Sequence, residues 1–258
     1  MMSVSPTNMH KTIRSLLPFT VVLLLTIVSV WPLLVGSSIL EMATESQLQL
    51  SLALLIPFAL LLSVNDMLNR TVTLRSFALI AIFTSLAVAL RPLGLGVAGL
   101  EPIWVAIIMA GYTLGVSAGF TVGGLSILLS ALITGGVGPW LGNQMVLAAL
   151  IGVGAAIAGN FGAKRLMITL YAAVSTYFFG WFMNLWFWPT FSNLQTSIAF
   201  DPTSSVLERM HAWAKFSILT STGFDIPRAL LSATLVWLVS MRLKSTIERL
   251  NAPFSTEA

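Results

Sequence analysis

IWVAIIMAGYTLGVSAGFTVGGLSILLSALI, residues 103–133, is the apolar run whose reading decides how often this chain crosses a membrane. As one helix it would be roughly 46 Å long at about 1.5 Å per residue. That exceeds the ~30 Å hydrocarbon core of a bilayer but falls short of the ~40 residues of two full spans. The flanking charges arbitrate. Arg75 precedes the apolar run before this stretch, and Lys164–Arg165 follows the run after it. With a single span here, Lys164, Arg165, Arg242, Lys244 and Arg249 would all fall outside, against the excess of Lys and Arg in cytoplasmic loops. A tight turn near Val116–Ala118 brings every basic cluster to one side, so two short helices are expected. Gly111, Gly115, Gly119 and Gly123 line this hairpin at intervals of four, a spacing that lets two helices pack backbone to backbone.

Composition sets the wider frame. The chain is 57% hydrophobic and 9% charged, with mean hydropathy +0.92, whereas soluble domains carry about 25% charged residues. Span-length apolar runs recur from Leu16 to Met241. Backbone groups in lipid must be satisfied internally, and no strand alternation is visible, so the expected class is an all-α polytopic membrane protein. Its partner is the lipid bilayer. The net charge of +4 is scattered between helices and reflects topology; it is no nucleic-acid footprint. With no cysteine, disulfides, thiolate nucleophiles and Cys-based metal sites are excluded. His10 and His211 are about 200 residues apart, one near each face, so neither a metal site nor a cofactor is expected.

Taken in order, Lys11 and Arg14 lie ahead of a first span, Leu16–Val35, and no Ala-x-Ala cleavage site follows it. The next loop holds Glu41 and Glu45 without Lys or Arg, and Leu48–Val64 returns as a short second span. Phe77–Leu90 is the third, with Ala81, Ser85 and Ala89 along one face. The hairpin follows, then Met145–Phe161, Leu166–Trp188 and a last span from about Ala212 to Met241. This makes eight spans with both termini cytoplasmic. The expected organisation is residues 1–75 with two extra helices, a six-helix core over 76–245, and a polar tail over 246–258.

Chemistry-bearing residues collect at the outer helix ends of this topology. The loop Thr134–Gln144, TGGVGPWLGNQ, joins three glycines and a proline to Trp140, Asn143 and Gln144. Arg91 stands at an outward-facing helix end against the charge bias, with Glu101 across the loop. Trp104, Trp140, Trp181, Trp186 and Trp188 reach the same level; an aromatic belt accounts for some of them but not for Asn184 and Gln144 among them. Together they suggest a concave aromatic site with a few polar groups, the usual form of a small-molecule pocket. Asp225 and Arg228, three residues apart on one helix face, can pair. They either contact a ligand or fix the helix. Arg91 and Arg228 balance Glu101 and Asp225, which favours a neutral or zwitterionic ligand. Ser117 lies in a G-x-S-x-G string but lacks a base beside it, and no P-loop is present, Gly159–Lys164 having the wrong spacing.

From Leu90 onward the sequence resembles the substrate-binding membrane subunits (S components) of energy-coupling factor (ECF) transporters, most like the actinobacterial-type members. The resemblance rests on Leu90-Arg91-Pro92-Leu93-Gly94, Gly111-Tyr-Thr-Leu-Gly115, Ser130–Trp140 with Gln144-Met145, Met183-Asn184-Leu185-Trp186-Phe187-Trp188-Pro189, and Thr222-Gly223-Phe224-Asp225 with Pro227-Arg228-Ala229. Gly142 stands where similar sequences often have proline, and Phe224 where they often have tryptophan. The resemblance implies a six-helix core that captures a vitamin-like micronutrient at the extracellular face of the bacterial cell membrane, without enzymatic activity. Arg91, Glu101, Trp104, Trp140, Gln144, Asn184, Trp188, Asp225 and Arg228 are the expected substrate contacts. Ala81, Ser85 and Ala89 would meet a transmembrane coupling subunit, and two cytoplasmic ATPases would supply energy. Cobalamin, riboflavin, thiamin-like and queuosine-like ligands all stay open. The alternatives are a stand-alone secondary transporter and, less favoured, an intramembrane hydrolase acting through Ser117.

Overall fold

The computed structural model describes residues 30–34, 74–94, 99–138, 140–191 and 196–251. Every regular element among them is helical: α1 (Leu74–Leu90), α2 (Ile103–Leu114), α3 (Val116–Thr134), α4 (Leu141–Asn160), α5 (Arg165–Phe187) and α6 (Val206–Asn251). Single 3-10 turns, Arg91–Gly94 and Trp188–Phe191, follow α1 and α5, and an isolated helical turn covers Trp31–Leu34. All but α2 are long and apolar enough to cross a membrane. The expected spans Leu16–Val35 and Leu48–Val64 lie outside the described residues apart from 30–34, as does His10.

The run 103–133 is indeed broken in two, at Gly115 rather than at 116–118. Gly115 has φ +93°, a conformation that a Cβ disfavours, and its N–H closes α2 on the Gly111 carbonyl at 3.0 Å. The chain then doubles back. A Cβ on Gly119 would lie 2.9 Å from the Gly111 Cα, although eight residues of unbroken helix rise about 12 Å. The glycine spacing serves a wider purpose than the expected hairpin. Gly111 and Gly119 both press on the Gly152 carbonyl of α4, and Gly123 meets Ala148 of α4. Small residues on three helices thus cross at one point, and α4, rather than α2 alone, is the neighbour these glycines admit.

Around that crossing lies the main core, including Trp104, Ile107, Ile108 and Met109 from α2, Val122 and Ile127 from α3, and Ala148 and Ala155 from α4. Side chains pointing away from it are equally apolar: Ile82 and Leu86 on α1, Leu132 on α3, Leu170 on α5, and Leu230 and Leu238 on α6 are all exposed. Lipid tails solvate such residues as well as a protein interior does, so these helices need no polar face. A second cluster joins Leu185, Trp188, Phe200 and Phe216, with Val30 and Leu33 packed on it.

The last helix is longer than the expected Ala212–Met241 and has 46 residues. Its start is set by a reciprocal cap: the Ser205 N–H donates to Glu208 Oε2 at 2.9 Å and the Glu208 N–H to Ser205 Oγ at 3.3 Å. Pro227 within it removes one helical hydrogen bond, that to the carbonyl of Gly223.

Arg165, Arg242 and Lys244 gather at one end of the bundle, whereas Arg209 and Lys215 lie near the start of α6 at the other. The Tyr112 hydroxyl donates to the Ala163 carbonyl at 2.6 Å, and Lys244 Nζ lies 4.7 Å from the Tyr112 ring centre. Arg165 sits 4.0 Å over the Trp237 ring, and its Nε donates to the Trp237 carbonyl at 2.7 Å. Arg165, Lys244 and the end of α2 thus share one end of the bundle.

Candidate functional site

At the opposite end, two polar groups form between the helices. In the first, the 3-10 turn after α1 directs Arg91 inward. Its Nη1 donates to Ser130 Oγ at 2.8 Å and to the Ile127 carbonyl at 3.3 Å on α3, and its Nη2 to Gln144 Oε1 at 3.2 Å on α4. A cation placed against the charge bias is therefore held by neutral oxygens from two helices, each an acceptor that a buried guanidinium requires.

In the second, Glu101 stands ahead of α2. Its Oε2 accepts from Trp104 Nε1 at 2.9 Å, and its Oε1 from Arg228 Nη2 at 3.1 Å. Arg228 Nη1 donates to Asp225 Oδ1 one turn back on α6. Ser221 Oγ donates to Asp225 Oδ2, and Asn184 Nδ2 donates to Ser221 Oγ at 3.1 Å. One chain of contacts thus runs from α2 through α6 to α5. The Asp225 carboxylate occupies the space that a side chain on Gly180 would fill. Phe179 supports the group from below, its ring 4.4 Å from that of Trp104 and 5.4 Å from the Arg228 guanidinium carbon.

Trp104, Asp225 and Arg228 are buried, while Arg91, Glu101, Gln144 and Asn184 are half-buried. Trp140 precedes α4 with its ring 6.2 Å from that of Phe187, and among the described residues no hydrogen bond or ring contact joins its side chain to either polar group. Trp188 does not join them. Its indole N–H donates to the Ile198 carbonyl at 2.8 Å, and its ring is wholly buried 5.1 Å from Phe200, so its donor and both faces are engaged in the second cluster. Trp181 likewise packs on Trp213 at 5.7 Å.

Several participants went unremarked in the sequence. Ser221 precedes Asp225 by four residues and Gly180 precedes Asn184 by four, a spacing that shares a helix face. Phe179 had no such signal, while Ser130 heads the quoted Ser130–Trp140 motif, which did not mark it as a partner of Arg91. Asn143 is buried against α5, its Nδ2 3.6 Å from Met183 Sδ, and its Oδ1 has no hydrogen-bond partner among the described residues. Ser117 opens α3 next to Gly115, at the basic end, while His211 lies near the far end of α6, so no base stands beside that serine among the described residues. Among the same residues no group of three His, Cys, Asp or Glu could hold a metal ion.

Ala81, Ser85 and Ala89 are exposed along one side of α1, unused by packing within the described chain. Outside the helices, Asp201 accepts from the Thr203 N–H at 2.8 Å and hydroxyl at 2.6 Å, and these bonds hold its carboxyl below the ordinary range. Comparison with known proteins adds no relative: no family model, curated protein or solved structure matches the chain.

Proposed function

We propose that this chain is the substrate-capture subunit of an ECF-type importer in a bacterial cell membrane. Two further N-terminal spans would give it eight in all, with both termini and the basic end of the bundle in the cytoplasm. The observation that carries the reading is the gathering of Arg91, Gln144, Glu101, Trp104, Asn184, Asp225 and Arg228 at the end remote from Arg165, Arg242 and Lys244. The six described helices and the quoted motifs support it further. Two cations and two carboxylates are matched there, which suits a neutral or zwitterionic vitamin-like compound. On this reading the chain performs no chemistry itself. Trp140 would stack on the ligand, and Gln144 and Asn184 would orient it, once their present partners yield. The free side of Ala81, Ser85 and Ala89 is where a coupling subunit would approach closely, itself driven by two ATPases.

Mass spectrometry of small molecules that co-purify with the protein tests the reading directly. The compound found should bind more weakly to Asn184→Ala and Trp140→Ala than to the parent chain. Unchanged affinity in both variants would put the site elsewhere. A stand-alone secondary transporter is the second reading, favoured by one feature: Asp225, a fully buried carboxylate within an apolar helix. Uptake into vesicles holding this chain alone would select it.

A further inference from the structure

A groove of about 400 Å³ opens on the outer surface of the described bundle, between α1, α2 and α6. Its walls include Phe83, Leu86, Ala106, Met109, Leu238 and Leu243, and Arg242 stands at its basic end. The guanidinium of Arg242 makes no hydrogen bond, ion pair or ring contact among the described residues, unlike Arg165 and Lys244 beside it. Neither α1 nor α2 carries a single Asp or Glu, and the nearest acidic residue on α6, Glu248, is six positions on and faces another way. The described walls therefore supply hydrocarbon contact along their length and one unanswered positive charge at the mouth. Among the components of a membrane, a phospholipid with an anionic headgroup has the matching form. Its acyl chain is as apolar as the walls, and its phosphate sits at the depth where helix-end cations lie.

We propose that this groove is a binding site for one anionic phospholipid, with an acyl chain between α1, α2 and α6 and its phosphate on Arg242. Its Arg242 end lies at the other end of the bundle from the polar cluster, while Ala106 on its wall is two residues from Trp104; none of its lining residues is a polar-cluster member, so the proposal neither depends on the capture reading nor supports it. A lipid seated there would tie α6 to α1, two helices that have little direct contact with each other.

Native mass spectrometry of the full chain in detergent, offered equimolar phosphatidylglycerol and phosphatidylcholine, tests this. One retained lipid is expected, with phosphatidylglycerol preferred by about fivefold, which is ~1 kcal/mol for one surface cation on an anionic lipid. Arg242→Ala should abolish the preference and Arg242→Lys should keep it. Lys215→Ala, which removes the same charge near the opposite end of α6, should leave it intact. Leu86→Trp, an exposed position on the wall, should lower retention of both lipids. The proposal is overturned if the parent chain shows no preference, if Arg242→Ala retains it, or if Lys215→Ala removes as much of it as Arg242→Ala.

Discussion

Replacing Arg228 by methionine removes the only cation among the described residues that touches both Glu101 and Asp225, and the structure sets the scale of the loss. The Asp225 side chain is 1% exposed and that of Arg228 8%, whereas Glu101 is 36% exposed. Without the guanidinium, Asp225 keeps only Ser221 as a partner, and an uncompensated buried charge costs about 3–5 kcal/mol. Glu101 is wet enough to turn to water and adds little. Asp225→Asn is milder, because Arg228 keeps Glu101; loss of one charged hydrogen bond costs about 1–3 kcal/mol. The double variant leaves no orphaned charge, so its destabilisation should fall short of the sum of the singles by ~1–3 kcal/mol. Reversible unfolding in mixed micelles, followed by tryptophan fluorescence, measures all four proteins. Additivity within about 0.5 kcal/mol would refute the reasoning, because it would mean that the two side chains do not act as a buried pair.

Three further outcomes follow from the packing. Gly119→Val should prevent α3 from meeting the Gly152 carbonyl, at a cost above the ~1–3 kcal/mol typical of overpacking because backbone must shift; Gly223→Ala, with open space around it, should be neutral or stabilising by up to ~1 kcal/mol. Size-exclusion profiles and thermal midpoints separate the two. Gly115→Ala meets no neighbour, so its expected cost of about 1–3 kcal/mol is backbone strain alone, and a thermal midpoint equal to that of the parent would contradict the sharp turn there. Tyr112→Phe should lose ~1–3 kcal/mol by orphaning the Ala163 carbonyl, read from the same unfolding curves.

How much of this could be read without coordinates differs from element to element. The break in residues 103–133 was legible because charge placement in a membrane is a one-dimensional constraint: each crossing changes side, so five distant basic residues constrain one turn. The turn itself falls on Gly115, just ahead of the expected position, since periodicity locates a helix end less sharply than a backbone conformation does. The extent of α6 was missed because hydropathy marks where lipid begins and ends, not where a capped helix does; the Ser205–Glu208 pair that starts it is a polar signal beyond the apolar run.

The site divides in the same way. Asp225 and Arg228 were readable as a pair because three residues of helix fix their separation. Glu101, more than a hundred positions away, enters only because α2 and α6 pack side by side, and Arg91 meets Ser130 and Gln144 only because α1, α3 and α4 converge. Trp188 shows the converse: by level alone it belonged with the other tryptophans, yet rotation about α5 turned it into a separate core. By itself, then, the sequence determined that the chain is a bundle of apolar helices and which of its basic residues share an end, since both follow from the cost of exposing backbone or charge to lipid. Which helix faces meet, and hence which polar groups are partners, was decided only by tertiary packing. In a chain whose outward and inward residues are equally apolar, no periodicity marks the face, and close backbone contact at glycine selects it.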